Sequence, residues 1–407
     1  MDPAKLLMLC EQNEYNLLNL MDWEEEFEQT VEEFRSTFER RRKKRKAPRE
    51  WTFQRTGTFW ETVVPATSEE HFLNLFRMEK QYFHVLVKRL LGIKKCDTSF
   101  RKAIPIDKRI AIALYTLGST AEYSMVGELF SVSSSMVGKI LKDFCQEVRR
   151  VLAPEYLPKE FLTQSKLEEC VRGFEARGLP QCLGALGSCH IEINNVPVPG
   201  NLAEYYNTQD WYSRILFALV DHRSRFLYVN YNSPGGRQND EVYEESSLKR
   251  IVNASTLLKS NSKLIAGVKV PVLLLGDSAF QCSTTLLTPY ANPQGEQQKL
   301  FNNTLDECRR VVDEAIRQLK ARFCRISECL DNHSRPFDII LCCCILHNFL
   351  NGNKSRILES WLDESRTERV QPVAMGESLQ KADEQAEHIR RGISQFLSTI
   401  NINKHLL

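Results

Sequence analysis

Apolar and polar positions recur along this chain at two spacings, and each spacing predicts its own elements. Residues 303–325 follow the helical repeat, with Leu305, Cys308, Val312, Ala315, Ile316, Leu319 and Phe323 on one side, which predicts a long amphipathic helix. From residue 180 the pattern shortens to strands over 182–193, 212–220 and 226–231. The polar turn Asp221-His222-Arg223-Ser224-Arg225 joins the last two. Ser233-Pro234-Gly235-Gly236 breaks the sheet, and 240–252 reads as a helix. A fourth strand is Val270-Pro271-Val272-Leu273-Leu274-Leu275, a continuous apolar run suited to a strand covered on both faces. It stops at Gly276-Asp277-Ser278, so one carboxylate stands at its C-terminal tip. Open α/β sheets place ligands in that position. Asp277 is equally suited to starting a turn. Residues 338–350 form an apolar, buried helix, and a last helix is expected near 378–398.

Residues 68–160 keep the helical period. One helix covers 110–117 and a second 122–130; a turn at Ser131-Val132-Ser133 leads to a third through 136–144, with Ser133 or Ser134 as its N-cap. A short helix, a tight turn and a Ser-capped helix make a helix-turn-helix pattern. The polar opening of the third helix, with Ser134, Ser135 and Lys139, suits a DNA groove, and Lys142 suits a phosphate. An ordinary helical subdomain uses the same turn. Upstream, Trp23, Phe27, Val31, Phe34 and Phe38 line one face of a helix, which docks on the main domain or on a partner.

Composition narrows the setting. The chain has 407 residues, 42% hydrophobic and 26% charged, ordinary for a soluble globular protein of two or three domains. No apolar run is long enough to span a bilayer, and the N-terminus lacks the basic start and cleavage site of a signal peptide. Its 13 cysteines show no zinc-ligand spacing. Three of them, Cys342, Cys343 and Cys344, lie in an apolar run where a thiol acts as a small buried hydrophobe. A reducing, intracellular compartment is expected. The net charge of +2 conceals an acidic block from Glu24 to Glu33 followed by Arg40, Arg41, Arg42, Lys43, Lys44, Arg45 and Lys46. Such a run suits a nuclear-import signal or a nucleic-acid patch, and a solvated linker is compatible with both.

Three antiparallel strands, a helix, a strand ending in Asp and a long helix bearing a carboxylate follow the order of an RNase H-like fold. The expected class is α/β. A mixed sheet of three antiparallel strands plus a parallel strand has helices on both faces and follows an all-α helix-turn-helix domain. The expected division is 1–50 for the N-terminal helix and basic run, 68–160 for the helix-turn-helix, 180–352 for the sheet domain and 353–407 for a helical tail. Ordered blocks sharpen this reading. They are Gly184-Ala185-Leu186 with His190-Ile191, Asp221-His222 with Arg225-Phe226-Leu227, Pro234-Gly235 with Asn239-Asp240, Leu275-Gly276-Asp277-Ser278-Ala279-Phe280, Arg310-Val311-Val312, and Cys344-Ile345-Leu346-His347-Asn348. Taken in order they resemble the DDE endonuclease domain of PIF/Harbinger transposases and of nuclear proteins derived from them, from about residue 70 to 352.

The resemblance implies a site in which three acidic residues hold two divalent metals, which stabilise the attacking and leaving oxygens of a phosphodiester displacement. Oxygen ligands suit Mg²⁺ or Mn²⁺. Carried over, the second acid falls on Asp277 and the third, a Glu in most of the family, on Asp313. Asp240 matches a further family acid and is equally suited to a helix start. Asp313 borders the apolar stripe, while Glu314 lies a further ~100° toward solvent. A plain ion pair of Asp313 with Arg309 or Arg317 fits the same spacing. The first acid departs from the family pattern Gly-x-x-Asp-Gly-Thr-His, because this chain reads Gly184-Ala185-Leu186-Gly187-Ser188-Cys189-His190. Gly187 stands where the metal-bridging Asp belongs, and His190 and Glu192 have the wrong strand parity to replace it. Three readings follow. One is a nuclear DNA-binding protein with cleavage lost or impaired. The others are a metal-dependent nuclease using Asp277, Asp313 and Asp240, and an interaction scaffold. By resemblance the partners are DNA and a Myb-like companion protein, with room for a homo-oligomer. The expected location is the nucleus, with a cytoplasmic fraction allowed.

Overall fold

The computed structural model describes residues 59–99, 102–193, 202–327, 336–364, 371–372 and 383–405. These all fall within the compact unit Gln54–Leu407. The expected N-terminal helix and the basic run at 40–46 lie outside the described residues.

A five-stranded sheet carries the candidate site. β1 (Cys182–Glu192), β2 (Ser213–Val220) and β3 (Phe226–Pro234) are antiparallel neighbours. The short strands β4 (Lys263–Ile265) and β5 (Val268–Val270) pair separately. β6 (Leu273–Leu275) then runs parallel to β1, with β7 (Leu286–Leu287) beside it, giving the order β3-β2-β1-β6-β7. This is the mixed α/β sheet that the strand pattern anticipates. Pro234 is tolerated because β3 is an edge strand, where a missing N–H costs no ladder bond.

Helices α1 (Glu69–Phe76), α2 (Lys80–Arg89), α3 (Ile106–Leu117), α4 (Tyr123–Leu129) and α5 (Ser134–Tyr156) precede the sheet, and α6 (Gln164–Ala176) leads into it. α7 (Asn239–Glu245) and α8 (Ser247–Ala254) occupy the stretch expected as one helix. The break falls at Ser246, whose hydroxyl accepts from Lys249 N at 3.2 Å and so caps a new helix. After β7 come α9 (Gly295–Arg322), α10 (Pro336–Gly352) and α11 (Glu384–His405). Leu167 and Cys170 of α6, Val242 and Tyr243 of α7 and Leu248 of α8 share one core with Leu183, Leu186, Phe217 and Leu274 of the sheet. The adjacent residue Gly187 points to the other face, where α9 covers it.

α10 locks the helical segment to the sheet. Its Asn348 amide donates to Tyr156 O at the end of α5 and to Phe226 O of β3, and its Oδ1 accepts from Phe226 N at 2.8 Å. His347 Nε2 is 2.7 Å from Ser224 O and fully enclosed; burial holds its pKa down to about 4, so the neutral ring donates to the carbonyl. Cys342, Cys343 and Cys344 are buried in the same helix, as their apolar context requires.

The β2–β3 turn is organised by Asp221, which is wholly buried. Its carboxylate accepts from Lys166 Nζ of α6 at 3.0 Å, Arg225 Nε at 2.9 Å, and the backbone N–H groups of Arg223 and Arg225 at 2.9 and 3.0 Å. Burial alone would raise its pKa, but Arg225 and Lys166 outweigh burial and hold the carboxyl below its usual value. A depressed folded-state pKa means that this stabilisation is complete above the ordinary Asp pKa of about 3.9. It is lost as pH falls through the lower folded value. Asp221→Asn therefore lowers unfolding free energy at pH 7 by about 3 kcal/mol, because two partly buried cations lose their charge partner. Urea titrations at pH 7 and at descending acidic pH check this. The gap between wild type and variant narrows on acidification, and a difference at pH 7 under ~1 kcal/mol contradicts the assignment.

Candidate functional site

The middle of β1, the C-terminal tip of β6 and one flank of α9 come together to line a crevice. β1 pairs with β6 in parallel as far as Ala185 opposite Leu275; Gly187 lies two residues beyond that pair on β1, and Asp277 two residues beyond it after β6. Asp277 follows β6 and serves two purposes. Its Oδ1 accepts from Ala279 N at 3.0 Å, closing the turn that its sequence context also suggested. Its Oδ2 lies 3.1 Å from Arg309 Nη2 of α9. Arg309 thus pairs across the crevice with Asp277, and Arg317 pairs with Glu314. Neither forms the ion pair with Asp313 that the helical spacing allows.

Asp313 lies one turn beyond Arg309 on α9, and its carboxyl pKa is raised above the usual Asp range. Burial of the carboxyl is the main cause, and the charge of Asp277 adds to it, while Arg309 and Arg310 act the other way. The residue as a whole is nonetheless exposed, and Glu314 is the more covered of the two. This reverses the expectation that Glu314 faces solvent. The cause is α10: its Asn351 reaches Gln318, and Gln318 in turn donates to Glu314, so that flank of α9 is covered and the crevice flank stays open.

Gly187 is where the crevice departs from a two-metal site. A Cβ built on residue 187 would lie 2.3 Å from Val312 Cγ1. Val312 is a buried, β-branched residue in a helix, with one strongly preferred rotamer and little freedom to swing away. The position of the bridging carboxylate is therefore filled by a methyl group from α9. Asp277 and Asp313 share the crevice, but Asp277 is already paired with a guanidinium. These residues do not fit a pair of divalent metals, which would need a third carboxylate between them.

The remaining acidic candidate, Asp240, is the second residue of α7. Its Oδ1 accepts from Glu241 N at 2.9 Å, a helix-start contact, and its neighbour Asn239 accepts from Ser188 Oγ at 2.8 Å. His190 turns toward Ser213 Oγ at 2.9 Å. Among the described residues one cluster of three groups has metal-ligand spacing, namely Cys170, Asp221 and His222. Its carboxylate is already held by Lys166 and Arg225, two cations that oppose a metal ion there.

A second surface lies on α5. The turn before it is tight: Val132 N donates to Gly127 O at 2.8 Å, Ser131 is left-handed at φ 54°, and a Cβ on Gly127 would meet Val132 O at 2.6 Å. Ser133 takes the N-cap position. Val137, Ile140, Leu141 and Phe144 are buried, while Ser134, Ser135, Lys139 and Lys142 are all exposed. Ser135, Lys139 and Lys142 are spaced i, i+4, i+7 and so share one face. Sequence reasoning missed Arg309 and Val312 as site residues. Their positions four and one before Asp313 were visible, but their partners Asp277 and Gly187 come from distant strands.

Comparison with known proteins agrees with this architecture. The DDE superfamily endonuclease domain matches residues 186–348, and a domain of unknown function matches residues 52–150. Protein ALP1-like of Arabidopsis thaliana is 28% identical over 349 residues, 82% of this chain and 82% of that protein. The Arabidopsis thaliana protein named antagonist of like heterochromatin protein 1 is 26% identical over 309 residues, 72% of this chain and 77% of its own. HARBI1 of Homo sapiens, which carries a nuclease name, is 24% identical over 336 residues, 80% of this chain and 89% of its own. No solved structure matches the chain.

Close packing at residue 187 has a measurable consequence. Gly187→Ala destabilises the fold by about 1–3 kcal/mol through overpacking. Combining it with Val312→Ala removes the offending methyl groups, so the two changes couple by at least ~0.5 kcal/mol in a double-mutant cycle. Strict additivity in denaturant unfolding would contradict the contact.

Proposed function

We propose that this chain, whose residues 186–348 match the DDE superfamily endonuclease domain and which is similar to the ALP1-like and HARBI1 proteins, is a nuclear DNA-binding protein of the Harbinger transposase-derived kind. In this reading it retains the nuclease fold without metal-dependent cleavage. Family chemistry is divalent-metal-assisted phosphodiester cleavage with DNA as the substrate. The observation that carries the proposal is the 2.3 Å approach of Val312 Cγ1 to the Cβ site of Gly187. An Asp at 187 begins with that same Cβ, so restoring the acid requires Val312 to move first. The Arg309 guanidinium on Asp277 supports the same reading, because it supplies the positive charge that a metal would otherwise bring. DNA contact is assigned to the exposed α5 face of Ser134, Ser135, Lys139 and Lys142, whose polar first turn suits a groove and whose lysines suit phosphates.

One assay tests both halves. Purified chain mixed with supercoiled plasmid in Mg²⁺ or Mn²⁺ retards the plasmid in a gel and leaves it covalently closed, and the retardation weakens steeply with salt. Metal-dependent nicking that vanishes in Asp277→Ala would overturn the loss of cleavage, and an absence of retardation at low salt would overturn DNA binding.

Nuclear entry is assigned to Arg40, Arg41, Arg42, Lys43, Lys44, Arg45 and Lys46, a run of cations of the import-signal kind. Replacing all seven with Gln shifts a fluorescent fusion of the full chain from the nucleus to the cytoplasm. Undiminished nuclear fluorescence would remove this assignment.

A further inference from the structure

The chain from the last residue of α2 onward runs alongside α5 in the opposite direction and is fastened to it at three successive points. Arg89 Nη2 meets Glu155 Oε2 at 2.8 Å, Gly92 N donates to Glu147 Oε1 at 2.8 Å, and Lys95 Nζ meets Asp143 Oδ2 at 3.3 Å. The fit at Gly92 is close, since a Cβ there would lie 2.4 Å from the Glu147 carboxylate. As the segment advances from 89 to 95, its partner on α5 recedes from 155 to 143. The next turn of α5 toward its N-terminus carries Lys139, about 6 Å beyond Asp143 along the axis.

The fastened segment thus brings the exposed Lys94 and Lys95 to the helix that carries the exposed Lys139 and Lys142. Asp143, next to Lys142, is paired at 2.9 Å with the buried Arg109 as well as with Lys95, and Asp97, two residues beyond Lys95, accepts from Ala103 N at 2.7 Å. One carboxylate is thus shared between two cations, Lys95 and Arg109, which leaves a net positive charge there. Among the described residues no ion pair engages Lys94, Lys139 or Lys142. Backbone and side-chain ties hold the segment in place, so its backbone loses little further freedom on binding.

We infer that Lys94 and Lys95 form a second phosphate-contacting element beside α5. Together with Lys139 and Lys142 they make a cationic ridge that grips the backbone of duplex DNA flanking the groove. This rests on the DNA-binding reading of α5 given above. The ridge contacts phosphates only, so it contributes affinity and salt dependence and no sequence preference.

The test measures binding of the full chain to a fluorescent DNA duplex across a salt series. Lys94→Gln with Lys95→Gln weakens binding about tenfold near physiological salt and flattens the slope of log K against log salt by roughly 0.9 to 1.8. Lys94→Arg with Lys95→Arg keeps the slope, because the charge is retained. A slope unchanged in the Gln pair overturns the inference. If Lys139→Gln with Lys142→Gln still flattens the slope in that case, DNA binding through α5 stands and only the ridge is lost. If neither pair alters the slope, the DNA-binding reading of α5 falls with it. Unfolding midpoints equal to wild type exclude misfolding as the cause.

Discussion

Helix α9 lies on β1 at a residue with no side chain, and that approach sets the geometry of the crevice. Val312 packs where a Cβ of residue 187 would stand, and its β-branched side chain leaves no easy rotamer that withdraws it. With Val312 fixed against the sheet, the next residue, Asp313, turns to the open flank of α9. One turn earlier, Arg309 comes within reach of the tip of β6. The crevice is thus a consequence of one glycine. A side chain at 187 would lift α9 from the sheet, and interiors packed at crystal-like density resist even a methylene-sized shift.

The charges in the crevice obey the same constraint. Two carboxylates brought together by a strand tip and a helix repel each other, and the raised pKa of Asp313 records part of that cost. In a two-metal site the ions offset the repulsion. Here a guanidinium from the helix that carries Asp313 offsets it on the Asp277 side, with no ion required. The lack of a carboxylate at 187 and the internal pairing of Asp277 act in the same direction: both lower the negative charge that would draw a divalent cation into the crevice.

Much of this arrangement was legible in the chain itself, for reasons that are local. The apolar run ending at Asp277 declared a buried strand with a carboxylate at its tip, and the Leu305 to Phe323 stripe declared the helix facing it. The departure at Gly187 was visible as a motif with one wrong residue. What escaped reading depends on contacts distant in sequence. Nothing at Val312 announces that it fills the place of a side chain on a strand 125 residues earlier in the numbering. The partner of Arg309 was sought one turn away and found on a strand. The burial order of Asp313 and Glu314 was inverted because α10 covers one flank of α9. Ser246 broke an apparently continuous helix because a serine hydroxyl competes for backbone N–H groups, a local preference that the apolar period conceals.

α5 explains how binding and cleavage can be separated in such a fold. Its buried face packs with α10, and its C-terminal end is tied to β3 through Asn348, so its exposed face is held in a fixed relation to the sheet. Arg325, just beyond α9, also donates to Thr116 O of α3, which adds a tie between the crevice helix and the helical segment. Yet the exposed lysines of α5 share no residue and no hydrogen bond with Gly187, Asp277, Arg309 or Val312. Closing the crevice therefore leaves the cationic face untouched. A protein of this architecture can lack an acid in the middle of β1 and keep every contact that a DNA backbone would make with α5. The stability of the fold does not penalise that lack, because Val312 packs where the acid would have stood.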